Sequence, residues 1–519
     1  MNERGAASVD HVVDDTGGDD LAVQRVVDQV VGEGGNLGFT QLGRVEYARY
    51  GGPATGGGVA GRQGGRINTD AIDNSAGVDT SDHEVNLKIL LDRSVASGAI
   101  DRAERNRLLA SVTDDVAALV LRDNYEQNVL LGMARKLSPA LSSVHQRFIQ
   151  ELEADGSLDR EIEFLPSDKQ FEQREADGIG IVSPENAVLI AYSKIALTAH
   201  IEATTLPDER WFHRALAGYF PPAIAERFAD DLVNHPLHRE IITTVVVNDM
   251  INRSGTTFVH RAIEETGGDI AEITRAYSVV REVFGLEPLW TAIEALDNKV
   301  PTDAQHAGYR EMRRLIDRAT RWFVDVRFPI SDVAAEIDRF GPTLRELGPR
   351  ITELVRGAEL ADIHAEAGRM VDLGLPSELA INLAELLSAF LLLDVVEIAN
   401  ASEHSATEIA ELHFALSDQF YVDEMLTSIT ELPRDDRWST LARAAVRHDV
   451  YAALSSITTS VLHSTDDTLS ADERMARWSA ANAERVERAR KTVRAALDRE
   501  TVDLATLSVA LRVMRSLPA

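Results

Sequence analysis

The sequence predicts a mainly α-helical protein: an N-terminal fragment of a doubly wound α/β (Rossmann-like) domain, followed by a long all-helical domain. Two observations favour this fold class. Before residue 80, two short β-branched stretches flank a helical pattern and glycine-rich turns. After residue 80, apolar residues recur at helical spacing, and we find no segment with the period of a strand.

Composition limits the classes of function. The chain has 519 residues, of which 44% are hydrophobic, enough for a buried core. Its 84 acidic and 53 basic residues give a net charge of −31, which repels phosphate backbones and anionic lipids, so we expect no nucleic-acid or membrane partner. The lack of cysteine excludes disulfides and thiolate metal sites. Apolar runs are too short for a signal peptide or a membrane span, so we expect a cytoplasmic protein.

The beginning of the chain predicts three elements in order. Residues 1–25 are polar and aperiodic, which predicts disorder. Residues 26–31 are rich in valine and end at a glycine, which predicts a short buried strand. Residues 40–48 have a helical pattern.

A glycine-rich loop and a second predicted strand complete this first segment. Residues 51–65 contain eight glycines and predict flexible coil. Residues 66–72 read as a second strand. Residues 26–80 therefore predict a partial Rossmann-like nucleotide-binding segment.

The remainder predicts helices. We interpret residues 81–155 as connecting helices, 156–183 as a polar linker and 184–519 as an all-helical C-terminal domain. Ser183-Pro184-Glu185 is a helix start signal, with a capping side chain, an early proline and an acid near the positive helix end. Further helices are predicted near residues 234–251, 301–328, 376–399, 406–432 (capped by Ser405 and Glu408), 437–462, 470–499 and 502–516.

Two polar clusters could carry chemistry. The first, residues 32–38, lies between a predicted strand and a helix. Its third glycine is one residue late for a dinucleotide fingerprint, and the residues alone favour a simple strand-to-helix turn. The second, residues 68–84, combines acids, amides and hydroxyls. Its end also has a structural interpretation, because Ser81 and Glu84 form a capping box for a helix at 82–95 with an apolar stripe of Leu87, Leu90, Leu91 and Val95.

These clusters resemble two motifs of glutamate dehydrogenases. The run Glu33-Gly34-Gly35-Asn36 is similar to the family's E-G-A-N, and residues 72–84 align without a gap with its L-A-N-A-G-G-V-T-V-S-Y-F-E motif. The large bacterial NAD-specific branch is closer still, and the similarity continues through residues 189–195 and 289–298 before it fades toward the C-terminus.

The resemblance implies roles for individual residues. Asn36 is expected near the nicotinamide ribose, with Gly34 and Gly35 in the same cofactor-binding turn, and Asn74 at the nicotinamide end of NAD. Ser81 matches the serine that meets the side-chain carboxylate of glutamate, although Asp82 and His83 replace the aromatic pair that follows it in the family. The resemblance assigns no catalytic residue and no metal ligand to this chain.

The resemblance also implies that the chain is partial. The family's glycine-rich phosphate turn, catalytic lysine and catalytic aspartate lie upstream of the matching segment. We therefore expect a chain that contributes part of the NAD site and a helical scaffold to oxidative deamination of L-glutamate to 2-oxoglutarate and ammonia. Its expected partners are the missing N-terminal portion of the enzyme and further copies of itself in a homo-oligomer. Two alternatives are a non-catalytic helical assembly remnant and a free-standing nucleotide-binding regulator.

Two other patterns have structural interpretations. His235 and His238 could share a metal, but Pro236 places both in a first helical turn, where capping explains them. A basic stripe of arginines is predicted to be a solvated face paired with acids, and it comprises Arg310, Arg313, Arg314, Arg318 and Arg321.

Overall fold

The computed structural model describes residues 38–50, 65–434 and 436–518, and these residues form helices and connecting segments without a β-strand. The predicted mainly α class is confirmed. The chain divides into two compact units, Met1–Arg261 and Ala262–Ala519. The domain boundary predicted after residue 183 therefore falls inside the first unit.

The first unit is built from helices that follow one another through short connections. Its helices are α1 (Gln41–Tyr50), α2 (Asp70–Asp73), α3 (Ser75–Ala96), α4 (Arg102–Ser111), α5 (Thr113–Leu137), α6 (Ser142–Ala154), α7 (Asp168–Ala176), α8 (Ser183–Glu202), α9 (Arg214–Tyr219), α10 (Pro222–Arg227), α11 (Ala229–Leu232) and α12 (His238–Ser254).

The centre of this unit is a group of packed helices. Helix α5 packs against α3, α8 and α12, and α8 also packs against α12 and α1. The helices face one another with aliphatic side chains that are almost fully buried, among them Leu90, Leu130, Leu189 and Ile242. Burial of such side chains supplies the main driving force for packing amphipathic helices.

The Rossmann-like interpretation of the first segment is not confirmed. The strand predicted at 26–31 lies outside the described residues, and the one predicted at 66–72 is wrong. Residues 65–69 have no regular structure, and α2 follows directly. The buried Arg44 guanidinium explains the difference, because it donates to the Asn68 carbonyl at 2.6 Å and pairs with the carboxylates of Asp70 and Asp73. These side-chain contacts hold residues 68–73 in a turn and a short helix.

Helix α3 begins earlier than predicted. It begins at Ser75, with Asn74 as its N-cap, so Ser81 lies in its second turn and does not cap a helix starting at 82. The Ser81 hydroxyl donates to the Val78 carbonyl at 2.7 Å, a back-bond that serines form inside helices. Glu84 pairs with Lys88, one turn later. The predicted apolar stripe is buried at Leu87, Leu90 and Leu91, whereas Val95 is half-buried.

The segment 156–183, predicted as a polar linker, takes part in the core. It contains α7 and buries the apolar side chains of Leu158, Leu165, Phe171 and Ile181 in one cluster with residues of α6 and α8. Most of its polar residues are exposed, which explains why composition alone indicated a linker.

The second unit also consists of helices. The helix α13 (Phe258–Thr266) joins the two sequence segments, and α14 (Ile270–Val283), α15 (Leu286–Glu294), α16 (Thr302–Val326), α17 (Val333–Leu347), α18 (Ile351–Leu354), α19 (Gly357–Leu373), α20 (Ser377–Ala384), α21 (Leu386–Ala389), α22 (Leu392–Asn400), α23 (Ala406–Gln419), α24 (Val422–Glu431), α25 (Arg437–Ser464), α26 (Ala471–Ala481), α27 (Ala483–Leu497) and α28 (Leu504–Arg515) follow.

Local signals predicted the ends of these helices better than their continuity. The capping box of Ser405 and Glu408 is confirmed, with a 3.0 Å bond from the Ser405 amide to the Glu408 carboxylate. The single helix predicted at 406–432 is wrong, because Tyr421 adopts a left-handed conformation with φ 59° between α23 and α24. The predicted helix 376–399 is likewise divided into α20, α21 and α22.

Within the described residues, no single helix has the length and apolar composition to cross a membrane. The neighbouring stretches 377–389 and 392–400, bent by 48°, meet those two criteria only as a pair.

Candidate functional site

One face of α3 carries the two described residues that the family motif singled out. Asn74, Val78, Ser81 and Val85 are separated by four, three and four residues, the spacing that aligns side chains along one helix face. Val78 is 66% exposed and Val85 50% exposed, and Ser81 is exposed as well. The buried leucines of α3 occupy the opposite face. This face therefore presents the half-buried Asn74 amide at its start and the Ser81 hydroxyl between two exposed valines.

Asn74 and Ser81 differ in their local setting. Asn74 lies at the N-terminus of α3, where partial positive charge from unpaired backbone amides accumulates, and its side-chain amide donates to the Asp70 carbonyl at 3.0 Å. Ser81 lies two turns further along, beyond the range of that partial charge. Ser81 therefore does not lie at the helix N-terminus, and a ligand carboxylate there would depend on the hydroxyl itself.

The predicted cofactor residues Gly34, Gly35 and Asn36 lie outside the described residues. The structure brings Asn74 and Ser81 onto one helix face.

The start of α3 is tied to α5. The Ser75 hydroxyl donates to the Asn124 side-chain oxygen at 2.6 Å. Glu126 of α5 is in turn paired with Arg122 at 2.7 Å and with Arg253 of α12 at 2.9 Å. These contacts fix the end of α3 that carries Asn74 to the helices behind it.

A cluster of ionisable side chains lies between α3, α5 and α8. Asp79 and His83 come from α3, Asp123 from α5 and Lys194 from α8. The Asp79 carboxylate is 3.8 Å from His83 Nε2 and shares a hydrogen bond with the Asp123 carboxyl. The Lys194 ammonium interacts electrostatically with both carboxylates and with Glu126. Lys194 thus faces three acids, of which Glu126 is also paired with Arg122 and Arg253.

Burial moves the pKa values of this cluster toward neutrality. Burial, and then repulsion from Asp123 and Asp82, raises the pKa of Asp79 to about 7. Burial raises the pKa of Asp123 too, with Glu126 adding to the effect. The pKa of Lys194 is lowered to about 8 by burial, against the pull of the acids. Asp79 and Lys194 can therefore hold or release a proton near neutral pH.

His83 is held as a neutral ring. It is 2% exposed, and neither ring nitrogen has a hydrogen-bond partner within the part of the chain that the structure describes. The Tyr219 ring stacks on it with centroids 4.2 Å apart and planes 20° apart. Burial lowers the pKa of His83, because a buried imidazolium loses its hydration. Asn86 donates to the Tyr219 hydroxyl at 2.8 Å and fixes the stack.

The cluster has the donor set of a divalent-cation site. Asp79, His83 and Asp123 each offer one ligand atom, and these atoms lie within 4.8 Å of one another. Two carboxylates and an imidazole suit divalent transition metals. The Lys194 ammonium already places a positive charge beside both carboxylates. Lys194 therefore offsets part of the negative charge that a metal ion at these ligand atoms would otherwise meet.

Each histidine of the pair His235 and His238 lies within hydrogen-bond distance of backbone atoms. His235 Nε2 lies 3.2 Å from the Asn86 carbonyl, and the Leu237 amide donates to its Nδ1 at 3.1 Å. His238 Nδ1 lies 2.9 Å from the His235 carbonyl. Both histidines therefore fix the start of α12.

Sequence reasoning missed Asp79, Asp123 and Lys194 as a group. Lys194 stood within a family-matching run and Asp79 within a motif, but 71 positions separate Asp123 from Lys194. The signal available in the sequence was that each of three amphipathic helices carries an ionisable residue on its buried side. Such a residue requires a partner, because an unpaired buried charge is costly.

Comparison with known proteins covers almost the whole chain. Residues 4–134 match the family model described as bacterial NAD-glutamate dehydrogenase, catalytic domain, and residues 178–516 match that of glutamate dehydrogenase, C-terminal. The first match starts upstream of residue 32, where the motif resemblance begins. It contains α3 and Asp123, whereas the second contains Lys194.

Three similar proteins all bear the name NAD-specific glutamate dehydrogenase. The Mycobacterium tuberculosis (strain ATCC 25618 / H37Rv) protein is 41% identical over 94% of this chain and 29% of its own length. The Halomonas elongata protein is 39% identical over 87% of this chain and 27% of its own length. The Pseudomonas aeruginosa protein is 38% identical over 94% of this chain and 29% of its own length. This chain spans less than a third of each relative, and it belongs to the family of large bacterial NAD-specific glutamate dehydrogenases, corresponding to their C-terminal portion.

Proposed function

We propose that this chain contributes one wall of the NAD and glutamate cleft of an NAD-specific glutamate dehydrogenase, together with the helical scaffold behind that wall. The observation that carries the proposal is the exposed face of α3, on which Asn74 and Ser81 lie two turns apart. In the reaction, a hydride leaves the glutamate α-carbon, and water hydrolyses the resulting imine to 2-oxoglutarate and ammonia. NAD supplies the nicotinamide ring that accepts the hydride.

The side chains on this face suit an uncharged role in binding. The Asn74 amide has donor and acceptor atoms for the carboxamide or ribose hydroxyls of NAD and adds no charge to the site. The Ser81 hydroxyl can donate to the side-chain carboxylate of glutamate. The neighbouring valines, which are exposed in this chain, suit contact with a nicotinamide ring or with further polypeptide.

The ionisable cluster behind this face has a positioning role in the proposal. Asp79 and His83 lie on α3 itself, and Asp123 and Lys194 belong to the helices that support it. Their charges set how α3 is held and do not touch the substrate. The acid and base groups of the chemistry come from the upstream polypeptide, which also supplies the phosphate-binding turn.

A chimera tests the proposal. The C-terminal portion of the Mycobacterium tuberculosis relative is replaced by this chain, and NADH formation from L-glutamate is followed by absorbance. We expect the chimera to be active and this chain alone to be inactive. Asn74→Ala should lower kcat/KM by at least tenfold, the loss typical of a missing positioning contact. An inactive but folded chimera would favour the alternative, a non-catalytic assembly protein.

Matched controls separate binding from structure. Asn128→Ala changes an exposed asparagine of α5, whose amide also donates to a carbonyl four residues earlier. Ser81→Ala is paired with Ser111→Ala, since the Ser111 hydroxyl is also exposed and donates to a carbonyl three residues earlier at 2.8 Å. Loss of activity in the control variants equal to that in Asn74→Ala and Ser81→Ala would contradict the assigned roles.

Homo-oligomer formation and a cytoplasmic location remain predictions.

A further inference from the structure

The second unit contains a small cavity between α16, α19, α21, α23 and α24. Its volume is about 180 Å³. Leu387, Leu391 and Leu426 form its apolar part, and two further lining residues, Thr427 and Glu431, are exposed, so the cavity opens to solvent on their side. A protein cavity of about 150 Å³ holds a six-carbon ring. This cavity therefore has room for a ligand of about six to nine non-hydrogen atoms.

Two arginines of α16 provide positive charge to the cavity. Arg314 and Arg318 are one turn apart and both line it. Arg314 donates to Glu311 at 2.7 Å. Within the described residues, the hydrogen bond that Arg318 makes is a long one of 3.4 Å to the Tyr451 hydroxyl. The Arg318 guanidinium thus retains donors for a carboxylate, the group that its planar fork matches best.

Two acids provide negative charge from the other helices. Glu359 is buried and accepts from the Ser388 hydroxyl at 2.6 Å. Asp423 Oδ2 is buried and has no hydrogen-bond donor among the described residues. Burial raises the pKa of Glu359 to about 7 and that of Asp423 to about 6, with neighbouring acids adding to both. Both carboxylates would therefore be stabilised by a cation placed in the cavity.

The two signs of charge exclude simple ions as good ligands. An anion at Arg318 would face Glu359 and Asp423, and a cation at those acids would face the arginines. We propose that this cavity binds a free α-amino acid, with its carboxylate at Arg318, its ammonium at Asp423 and Glu359, and its side chain against the leucines. The site lies in a different unit from α3, so it does not depend on the proposed function.

Thermal unfolding of the purified chain in the presence of ligands tests the site. Each common L-α-amino acid is added in turn at millimolar concentration. At least one should raise Tm by about 2–4 °C, the shift that a ligand near tenfold its Kd produces in a unit of this size. Its N-acetyl derivative, which lacks the ammonium, and its amide, which lacks the carboxylate, should produce no shift. A panel without any shift, or an equal shift with either derivative, would overturn the proposal.

Variants assign the shift to this cavity. Arg318→Gln and Asp423→Asn should each abolish it. The matched control Arg350→Gln removes an exposed arginine of the same unit that pairs with Glu353, and it should keep the full shift. Ser81→Ala should also keep it, which separates this site from glutamate binding at α3. A shift that persists in both cavity variants would place the ligand elsewhere.

Discussion

Arg174 and Glu185 form a buried ion pair with two parallel hydrogen bonds, of 2.7 and 2.8 Å, between α7 and the first turn of α8. The Glu185 carboxylate also accepts from the Val182 amide at 2.8 Å. Glu185 was predicted as an acid near a positive helix end, and the structure shows that it also joins the segment 156–183 to α8.

Replacing Glu185 with glutamine should destabilise the first unit. The variant leaves the buried Arg174 guanidinium without its counter-charge, which costs about 3–5 kcal/mol. Urea unfolding followed by circular dichroism measures the loss. Glu353→Gln, which breaks an exposed pair with Arg350, is the matched control and should cost less than about 1 kcal/mol. Equal losses in the two variants would show that the buried pair has no special role.

Replacing Phe171 with alanine should also destabilise this unit. Phe171 is 1% exposed within the cluster that joins α6, α7 and α8. Truncation of a buried phenylalanine costs about 3–5 kcal/mol, because it removes packing and leaves a cavity. Ile162→Ala, in the same segment but 71% exposed, should be nearly neutral by the same urea titration. A neutral Phe171→Ala would instead support a linker.

Asp79→Asn should change how stability depends on pH. The pKa of Asp79 is raised from 3.8 to about 7 in the folded chain, so between these values the folded state binds the extra proton. Stability then falls as pH rises from about 4 to about 7 and is level above that. Asparagine cannot ionise. The Tm of the variant minus the Tm of the unmodified chain should therefore increase as pH rises through this range. A Tm difference that does not change with pH would contradict the raised pKa of Asp79. The control is Asp115→Asn, which changes an exposed aspartate.

Lys194→Met should have opposite effects on the two sides of neutrality. Near pH 7.5 the Asp79 carboxylate is largely ionised and Lys194 is still largely protonated, so the variant removes a cation that faces the acids and Tm should fall. Near pH 5 Asp79 is protonated, and removal of a buried ammonium should leave Tm unchanged or raise it. Melting curves at both pH values measure this. Exposed Lys136→Met should show no such reversal, and a Lys194→Met loss that is equal at both pH values would refute the proposed charge balance.

The sequence by itself determined the helical class, many helix ends and the family. Apolar periodicity and capping residues act within one or two turns, so Ser405 with Glu408 marked the start of α23 correctly. The motifs around Asn74 identified the family because they are runs of adjacent residues. The prediction of a strand at 66–72 was wrong, because Asn68, Asp70 and Asp73 are held by Arg44, which lies 24 or more positions away.

Only the tertiary structure decided which residues meet. Periodicity shows which side of a helix is buried but not which helix faces it, so the grouping of Asp79 and Asp123 with Lys194 could not be predicted. The cavity between Arg318 and Asp423 could not be predicted for the same reason, because its walls come from five helices. Contacts between distant segments depend on how whole helices pack, and that packing is set by the sum of many buried side chains rather than by any local pattern.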